Sequence, residues 1–588
     1  MAHALGAVDP SRIIPDNGAA TALWEMTWNK GENSLLTAHT PPRDPEDRRA
    51  PSEVRVWDKV WALSMPSRVH ALFKDSYVES VLIRREYAIV LKDAITWASK
   101  RSPTTFDSGD RTDDDDEPLV EIKNPFSEPE ASRAIVPRKM LWLYYILVFR
   151  LAVGLPTIFV NDSNHLYIFN HSGAFVFTDY ESPFETSAGE RFKECITRDY
   201  WCLVDSSARF IGVPEFIMEQ NRFVVQAASP RIEHTKWTRK TPYQFFTYFM
   251  KPWTLSELIA GREFQKASVL PSEAELAAYY ARHVPSARIA YRHAQAQSMP
   301  LFEDKIREDL RDLSFETFKS LLTTLSTMRV GNQEVSHKYI LIAPMPGDRA
   351  TFTTDVPSRY IFELIHNALD ISTHHQAAGL YNFLAKFPQT RATAGYLLEH
   401  YFHQIIIKGG EWEVRSLAHT DTGPKNVVWS ATDDRPSVPA IEYLHLGCIS
   451  PLRSFILVSD NPLENMAYRS FEVRVFDPYD RQLQLDDGYY YRPNPDFPAT
   501  FDGFVYTSHT QTATLFQATV SPDHSMSLRG IKWLQELGVI KFDYIIVTPP
   551  GPIQVPIPIA VNQCFDKKYQ IIVKSLDLGP DLPFQPGV

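Results

Sequence analysis

Four polar side chains in the last third of the chain have the types and spacing of a hydrolytic site. Glu399 and His403 lie four residues apart in a segment with a helical pattern, so their side chains share one helix face. Asp502 opens an apolar strand, and Gln517 lies in the strand that follows. A short turn joins the two strands, which predicts a hairpin that brings Asp502 close to Gln517.

Metal-dependent hydrolysis of a phosphodiester is one chemistry that such side chains could perform. Oxygen ligands hold Mg²⁺, and the bound metal lowers the pKa of its water. A lysine near the scissile phosphate also helps, and a neutral hydroxyl such as that of Thr519, two residues after Gln517, cannot replace its ammonium group. Lys532 or His524 could substitute from a neighbouring position. The structural alternatives are a solvated helical Glu, an Asp in a turn and an ordinary amphipathic strand.

A second group of residues, nearer the N-terminus, has the layout of a phosphate-binding α/β unit. A short strand at 119–122 is followed by a loop, an apolar helix at 139–151 and buried strands, of which 201–205 ends in Asp205. In P-loop NTPases a glycine-rich loop surrounds the phosphates, and a strand-end Asp holds the water shell of the metal. Asp205 fits that role, and its structural alternative is an Asp that caps a turn.

Several phrases occur in an order that resembles Crinkler-type effectors and retrotransposon-hot-spot (RHS) proteins, which are abundant in fungi. The phrases of the N-terminal part are RLAVGLPT (150–157), WCLVD (201–205), VQAASP (225–230), MKPWTLSEL (250–258) and PSAR (285–288). With further phrases around Glu399, Asp502 and Gln517, the resemblance covers about residues 54–550. It implies an α/β fold: a parallel-sheet P-loop NTPase-like core with a helical lid, and a C-terminal α+β restriction-endonuclease-like domain.

For the NTPase-like core, the resemblance implies ATP as the ligand and three binding residues: Lys139 in the phosphate loop, Asp205 in the Walker B strand and Arg288 in the lid. The loop departs from the family, because about ten residues (126–135) intervene. Arg138 replaces a glycine, and Met140 replaces the hydroxyl residue that binds magnesium. We therefore expect ATP hydrolysis to be impaired. The alternative for Arg288 is a surface position at a helix end, and Arg84 and Arg85 are expected on a solvated face.

For the C-terminal domain, the resemblance implies a Mg²⁺ site and DNA as the partner. The implied metal ligands are Glu399, Asp502 and Gln517. His403 and His524 are candidates for phosphate contact or proton transfer. The small N-terminal header domain of Crinklers is not visible in this sequence, which weakens the case for secretion and delivery to a host nucleus.

Composition divides the chain into six predicted segments. Residues near the N-terminus are rich in Pro, Asp and Arg, and the run Asp113–Asp116 is typical of a solvated linker. The segments are a flexible arm (1–53), a mostly helical region (54–106), an acidic linker (107–117), the NTPase-like domain (118–300), a helical connector or lid (301–390) and the nuclease-like domain (391–588).

Charge and cysteine content restrict the possible functions and locations. The chain has 60 Lys and Arg against 71 Asp and Glu, so any DNA contact must come from a local basic surface. Four scattered cysteines without a CxxC pair predict no disulfide-linked partner and a reducing compartment. No secretory signal is visible, and Arg150 and Pro156 interrupt the apolar stretch 140–160, so we expect no membrane span and a cytoplasmic or nuclear location.

Three functions are compatible with these patterns. The first is a two-module NTPase-nuclease protein that acts on DNA, with impaired NTP hydrolysis. The second is a catalytically inactive effector-like or interaction protein that keeps the fold. The third, ranked last, is a metabolic enzyme with an unrelated α/β fold. Oligomeric state and substrate specificity stay open.

Overall fold

A computed structural model gives the fold of the chain. It describes residues 13–15, 18–31, 36–39, 60–64, 66–72, 80–99, 133–136, 140–161, 165–178, 196, 199–206, 213–214, 217, 223–227, 244–265, 270–326, 338–345, 347–369, 374–386, 390–421, 426–431, 442–450, 453–462, 468–477, 480–494, 501–520, 528–549 and 554–573. Lys139, His524, the predicted linker 107–117 and the predicted strand 119–122 lie outside the described residues.

The first half of the chain builds an eight-stranded sheet and a small three-stranded sheet. The strands are β1 (Ile13–Pro15), β2 (Leu36–His39), β3 (Val60–Ser64), β4 (Ser80–Ile83), β5 (Arg133–Val136), β6 (Thr157–Val160), β7 (His165–Asn170), β8 (Gly173–Thr178), β9 (Trp201–Asp205), β10 (Phe223–Ala227) and β11 (Gln244–Thr247). The helices are α1 (Ala19–Thr27), α2 (Arg85–Ser99) and α3 (Met140–Ala152). The large sheet has the order β1-β8-β7-β6-β9-β10-β5-β11, and the small one has the order β2-β3-β4.

Five neighbouring strands of the large sheet, from β6 to β11 in that order, run parallel, and β7, β8 and β1 add an antiparallel edge. The central strands are apolar on both faces because each face is covered. In β9, Leu203 packs in the same core as Trp142 of α3, whereas Cys202 packs on the opposite face near Ile217. A mixed α/β fold with parallel strands is therefore present.

Arg150 joins the end of α3 to the start of β6. Its guanidinium donates to the Thr157 hydroxyl at 3.1 Å and to the Pro156 carbonyl at 2.9 Å. It also lies over the Trp201 ring at 4.5 Å, and burial lowers its pKa to about 9. This contact set explains why an arginine is tolerated inside the apolar stretch. No helix among the described residues has both the length and the apolar surface that a bilayer crossing requires.

Parts of the predicted N-terminal arm are folded. Strand β1 pairs with β8, and Leu23 of α1 lies in the core of the large sheet. The Trp24 indole donates to the Asn170 carbonyl at 2.8 Å. The prediction of a loosely ordered arm over 1–53 is wrong for these residues, because a short apolar helix face is enough to hold them on the sheet.

The region predicted as mostly helical, 54–106, contains strands as well as α2. Val60 and Trp61, which were expected in a helix, lie in β3 between β2 and β4. The helix prediction is wrong there because a few apolar residues fit both the helical period of 3.6 and the strand period of 2. Pairing with neighbouring strands decides between the two structures.

The strand that leads into α3 differs from the predicted one. Strand β5 lies between β10 and β11, so residues 133–135, which were interpreted as part of an insertion, belong to the sheet. Only residues 137–139 connect β5 to α3. The connection is therefore much shorter than the loop that the sequence predicts between a strand at 119–122 and the helix at 139–151.

The middle of the chain is mostly helical, as predicted, but also contains a β-hairpin. Its elements are α4 (Leu255–Gly261), α5 (Glu273–Arg282), α6 (Ala287–His293), α7 (Met299–Leu310), α8 (Phe315–Ser326), β12 (Leu341–Met345), β13 (Asp348–Asp355), α9 (Arg359–Ala368) and α10 (His374–Lys386). Helix α5 starts at a capping box in which Ser272 and Glu275 bind each other's backbone N–H groups.

The C-terminal part consists of one large mixed sheet with helices. Its elements are α11 (Arg391–Ile406), β14 (Gly410–Asp421), β15 (Asn426–Ala431), β16 (Glu442–Ser450), β17 (Arg453–Ser459), β18 (Glu472–Phe476), β19 (Tyr489–Pro493), β20 (Gly503–Thr507), β21 (Thr512–Ala518), α12 (Leu528–Glu536), β22 (Lys541–Thr548), β23 (Gln554–Pro558), α13 (Ile559–Asn562) and β24 (Lys567–Ile572). The main path is β17-β16-β14-β24-β22-β21-β20-β19-β18, and β15 pairs with β14 and β23.

The helical middle and the C-terminal sheet share one hydrophobic core. It runs from Leu276 of α5 through Phe362 of α9 and Leu398 of α11 to Phe516 of β21. The predicted boundary at 390 therefore divides a continuous core. This packing brings the start of α9 next to α11.

Arg84, expected on a solvated face, is buried. Its guanidinium bonds Glu257 at 2.7 Å and the Pro252 carbonyl at 2.8 Å, and it lies 4.9 Å from the centre of the Trp253 ring. Arg85, its neighbour, is exposed. The expectation is wrong for Arg84 because the chain after β11 folds over the start of α2.

We predict that Arg84→Met destabilises the protein by about 3–5 kcal/mol, because Glu257 would be left as an unpaired buried charge. The matched change Arg85→Met alters the free energy of unfolding by about 0.5 kcal/mol or less. Urea denaturation followed by circular dichroism measures both values. Equal stability of the two variants would contradict the buried ion pair.

Candidate functional site

Three elements meet at the candidate site in the C-terminal part. Helix α11 carries Glu399 and His403 one turn apart. Asp502 immediately precedes β20, and Gln517 is the penultimate residue of β21. The two strands are antiparallel neighbours, and the Asp502 N–H donates to the Phe516 carbonyl at 3.0 Å. The hairpin that the sequence predicts is therefore present and places Asp502 beside Gln517.

Asp502 is held by two hydrogen bonds. The Gln517 amide donates to Oδ1 at 2.7 Å, and the Ala518 backbone N–H donates to Oδ2 at 2.6 Å. Burial, followed by the negative charge of Glu399, raises the pKa of Asp502 well above its usual range. Asp502 is thus the shared neighbour of Gln517 on one side and Glu399 on the other.

Gln517 reaches Asp502 from the far face of the sheet. Phe516 packs toward α11 with Phe402, whereas Leu515 lies in the core on the other face. Because successive side chains of a strand point to opposite faces, Gln517 of β21 lies on the same face of the sheet as Leu515. Asp502, at the strand end, therefore connects side chains from both faces.

The positive charge of Arg359 compensates the negative charge of Glu399. Arg359, the first residue of α9, donates from Nη1 to Glu399 Oε1 at 2.7 Å, and His403 Nε2 lies 3.3 Å from the same oxygen. Burial by itself raises the pKa of Glu399, but the Arg359 charge and the His403 hydrogen bond bring it below its usual value. Glu399 is therefore ionised beside an Asp502 that tends to be neutral.

The hydrogen bonds of His403 define its tautomer. Burial lowers the pKa of His403 to about 4, so the ring is neutral near pH 7 and carries one N–H. A carboxylate can only accept, so Nε2 donates to Glu399 and Nδ1 accepts from the Tyr490 hydroxyl at 2.7 Å. Tyr490 and His403 thereby orient the Glu399 carboxylate.

The donor atoms present suit a hard cation. Gln517 Oε1 is buried and has no hydrogen-bond donor within reach, which leaves an oxygen available as a ligand. Two carboxylates and one amide oxygen are the type of set that Mg²⁺ binds. Among the described residues, no group of three or more His, Cys, Asp and Glu side chains is arranged to hold a metal ion. Because Asp502 lies between Gln517 and Glu399, it would be the central ligand of a metal bound here. His524 lies outside the described residues.

Sequence reasoning missed three residues of this site: Arg359, Tyr490 and Arg492. Arg492 donates to Glu363 at 3.1 Å, beside Arg359. Tyr490 and Arg492 lie two residues apart in one strand, and this period-two spacing is a signal that could have been read. Arg359 carries no such local signal, because only the docking of α9 on α11 brings it here.

Of the residues assigned to ATP binding, Asp205 and Arg288 lie on different elements of the fold, and Lys139 lies outside the described residues. Asp205 is buried at the carboxyl end of β9, and Ser206 after it accepts a hydrogen bond from the Gln226 amide at 2.6 Å. Arg288 is exposed in the first turn of α6, and its neighbour Ala290 belongs to the core of the helical middle rather than to either core of the large sheet.

Comparison with protein-family models, with curated proteins and with solved structures finds no match to this chain.

We predict that Gly503→Ala destabilises the protein by about 1–3 kcal/mol, as overpacking does elsewhere. A Cβ there would lie 2.3 Å from the Tyr490 hydroxyl and 2.6 Å from its ring carbon Cζ. Gly379→Ala is the control, since nothing lies within 4 Å of its added methyl. Alanine there should stabilise α10 by up to about 1 kcal/mol. Thermal unfolding measures both, and a Gly503→Ala protein as stable as wild type would contradict this packing.

Proposed function

We propose that this chain is a two-module protein of the Crinkler and RHS type, in which the C-terminal module is a Mg²⁺-dependent nuclease that acts on DNA. The single observation that carries the proposal is the placement of Asp502 between Gln517 and Glu399. These are the three residues that the sequence resemblance selected. The N-terminal module is NTPase-like in layout and does not hydrolyse ATP efficiently.

The order of elements around Asp502 supports a restriction-endonuclease-like fold. Helix α11 supplies the glutamate, the antiparallel pair β20 and β21 supplies the aspartate and the amide, and α12 then crosses to β22, which runs parallel to β21. That fold uses a helical Glu and a strand Asp as metal ligands.

In the proposed reaction, the carboxylates of Asp502 and Glu399 would hold the metal, with the Gln517 amide oxygen as a third candidate ligand. When bound, Mg²⁺ would activate water and offset negative charge on the phosphate. Ala518 keeps the Asp502 carboxylate in place through its backbone N–H. Arg359 and His403 do the same for Glu399. The residues of this chain thus supply positioned oxygen ligands rather than a covalent intermediate.

The topology of the large sheet supports an NTPase-like ancestry for the N-terminal module. Strand β5 precedes α3 and is separated by one strand from β9, the strand that ends in Asp205. Binding of phosphates needs several backbone N–H groups in the connection between strand and helix. Residues 137–139 are too few, and Pro137 has no N–H to donate.

We predict that the purified protein nicks supercoiled plasmid in Mg²⁺ and that Asp502→Asn lowers the rate at least about a hundredfold, because an amide keeps the side-chain shape but cannot ionise to give the metal the anionic oxygen that Asp502 would supply. The matched control is Asp304→Asn, an exposed surface carboxylate that pairs with Arg307. Gel electrophoresis over time measures the rates. A wild-type protein that cleaves no nucleic acid with any divalent metal would instead support the inactive interaction protein.

We also predict that ATP with Mg²⁺ leaves the unfolding temperature of the protein unchanged, because only three residues, one of them a proline, join β5 to α3. A ligand present at a hundred times its Kd would stabilise the protein by about 2.7 kcal/mol, so binding is easily detected. Differential scanning fluorimetry makes the measurement. A thermal shift that Lys139→Ala abolishes would overturn this prediction and restore nucleotide binding at the expected loop.

A further inference from the structure

A pair of arginines lies beside the candidate metal ligands. Arg359 and Arg492 both contact Glu363 Oε1, at 3.5 Å and 3.1 Å, and Arg359 also bonds Glu399. The pair comes from two separate elements, α9 and β19. Two carboxylates therefore contact two guanidinium groups at this site.

The arginine pair has hydrogen-bonding capacity to spare. Arg359 Nη2 and Arg492 Nε are buried donors with no partner. The side chains are nevertheless 16% and 25% exposed, so part of each faces solvent. Guanidinium groups present forked donors that match the oxygens of a phosphate. The unpartnered donors leave the pair able to bind a phosphate in place of Glu363.

The two guanidinium groups of the pair lie close to each other. Burial and the charge of Arg359 lower the pKa of Arg492, which shows that the two cations lie close enough to repel. The carboxylates of Glu399 and Glu363 pair with these two cations. A phosphodiester placed beside the arginines would reduce their mutual repulsion.

No lysine occupies the position where a nuclease of this type needs one. Thr519 is buried, and its N–H donates to the Val547 carbonyl at 2.9 Å. Lys532, considered as a substitute from sequence, is exposed on α12, where its charge acts on Cys564. Among the described residues that contact Glu399 or Glu363 in this cluster, Arg359 and Arg492 are the permanent cations.

We propose that Arg359 and Arg492 form the phosphate-binding side of the site and supply the positive charge that a lysine two residues after Gln517 would otherwise supply. The inference rests on the proposed nuclease function and names its substrate contact, the backbone phosphodiester of DNA. Glu363 competes with the phosphate for both arginines.

The test measures binding and cleavage separately. Binding of a fluorescein-labelled DNA duplex is followed by anisotropy in Ca²⁺, and nicking of plasmid is followed in Mg²⁺. We expect Arg492→Gln to weaken duplex binding at least about fivefold, to lower the salt dependence of binding by about one ion, and to slow nicking at least about tenfold. Arg481→Gln is the matched control, because that arginine is 82% exposed on the same sheet domain.

We expect Glu363→Gln to have the opposite effect on duplex binding. It removes the competing carboxylate, so duplex binding should tighten about threefold or more if the arginines bind phosphate. If the arginines only support the fold, this variant binds no tighter than wild type, and the inference is overturned. This variant also decides the question if Arg492→Gln fails to fold, as judged by circular dichroism.

The outcomes separate the two proposals. If nicking requires Asp502 but Arg492→Gln binds and nicks like wild type, the nuclease function stands and the arginine assignment fails. If no variant nicks DNA but duplex binding still follows Arg492 and Glu363 as predicted, the nuclease function fails while the anion site remains.

Discussion

The burial of two carboxylates next to each other is the constraint on which the C-terminal part of this protein depends. Glu399 and Asp502 lose hydration in the core and repel each other, so at least one needs a cation close by. Arg359 is that cation, and it is the first residue of α9. Helix α9 must therefore dock on α11, which explains why the helical middle and the sheet share one core.

A second buried ionic network holds the N-terminal module to the rest. Arg84 pairs with Glu257, and Glu86 pairs with Arg349 at 2.7 Å while also accepting from the Lys251 N–H at the same distance. These contacts fix the chain after β11 and the hairpin of β12 and β13. Arg349 lies on β13, which leads directly into α9, so a single strand joins this network to the one around Arg359.

Regular elements with strong local patterns were predictable. The apolar run 201–205 is a strand with the predicted bounds, and it is buried because the sheet is covered on both faces. Short elements were not predictable in the same way. Val60 in β3 and the strand at 133–136 depend on partners that are distant in the sequence, and a few apolar residues cannot specify such pairing.

In the candidate site, too, some residues are placed by local structure and others by tertiary packing. The types and the local spacing of Glu399, Asp502 and Gln517 follow from the sequence, because a helix turn and a two-stranded hairpin are local structures. What surrounds them was decided by tertiary packing: Arg359 and Tyr490 come from other elements, and they set the charge of Glu399 and the tautomer of His403. Burial and long-range ion pairs depend on how elements dock, and that information is not contained in any single stretch of chain.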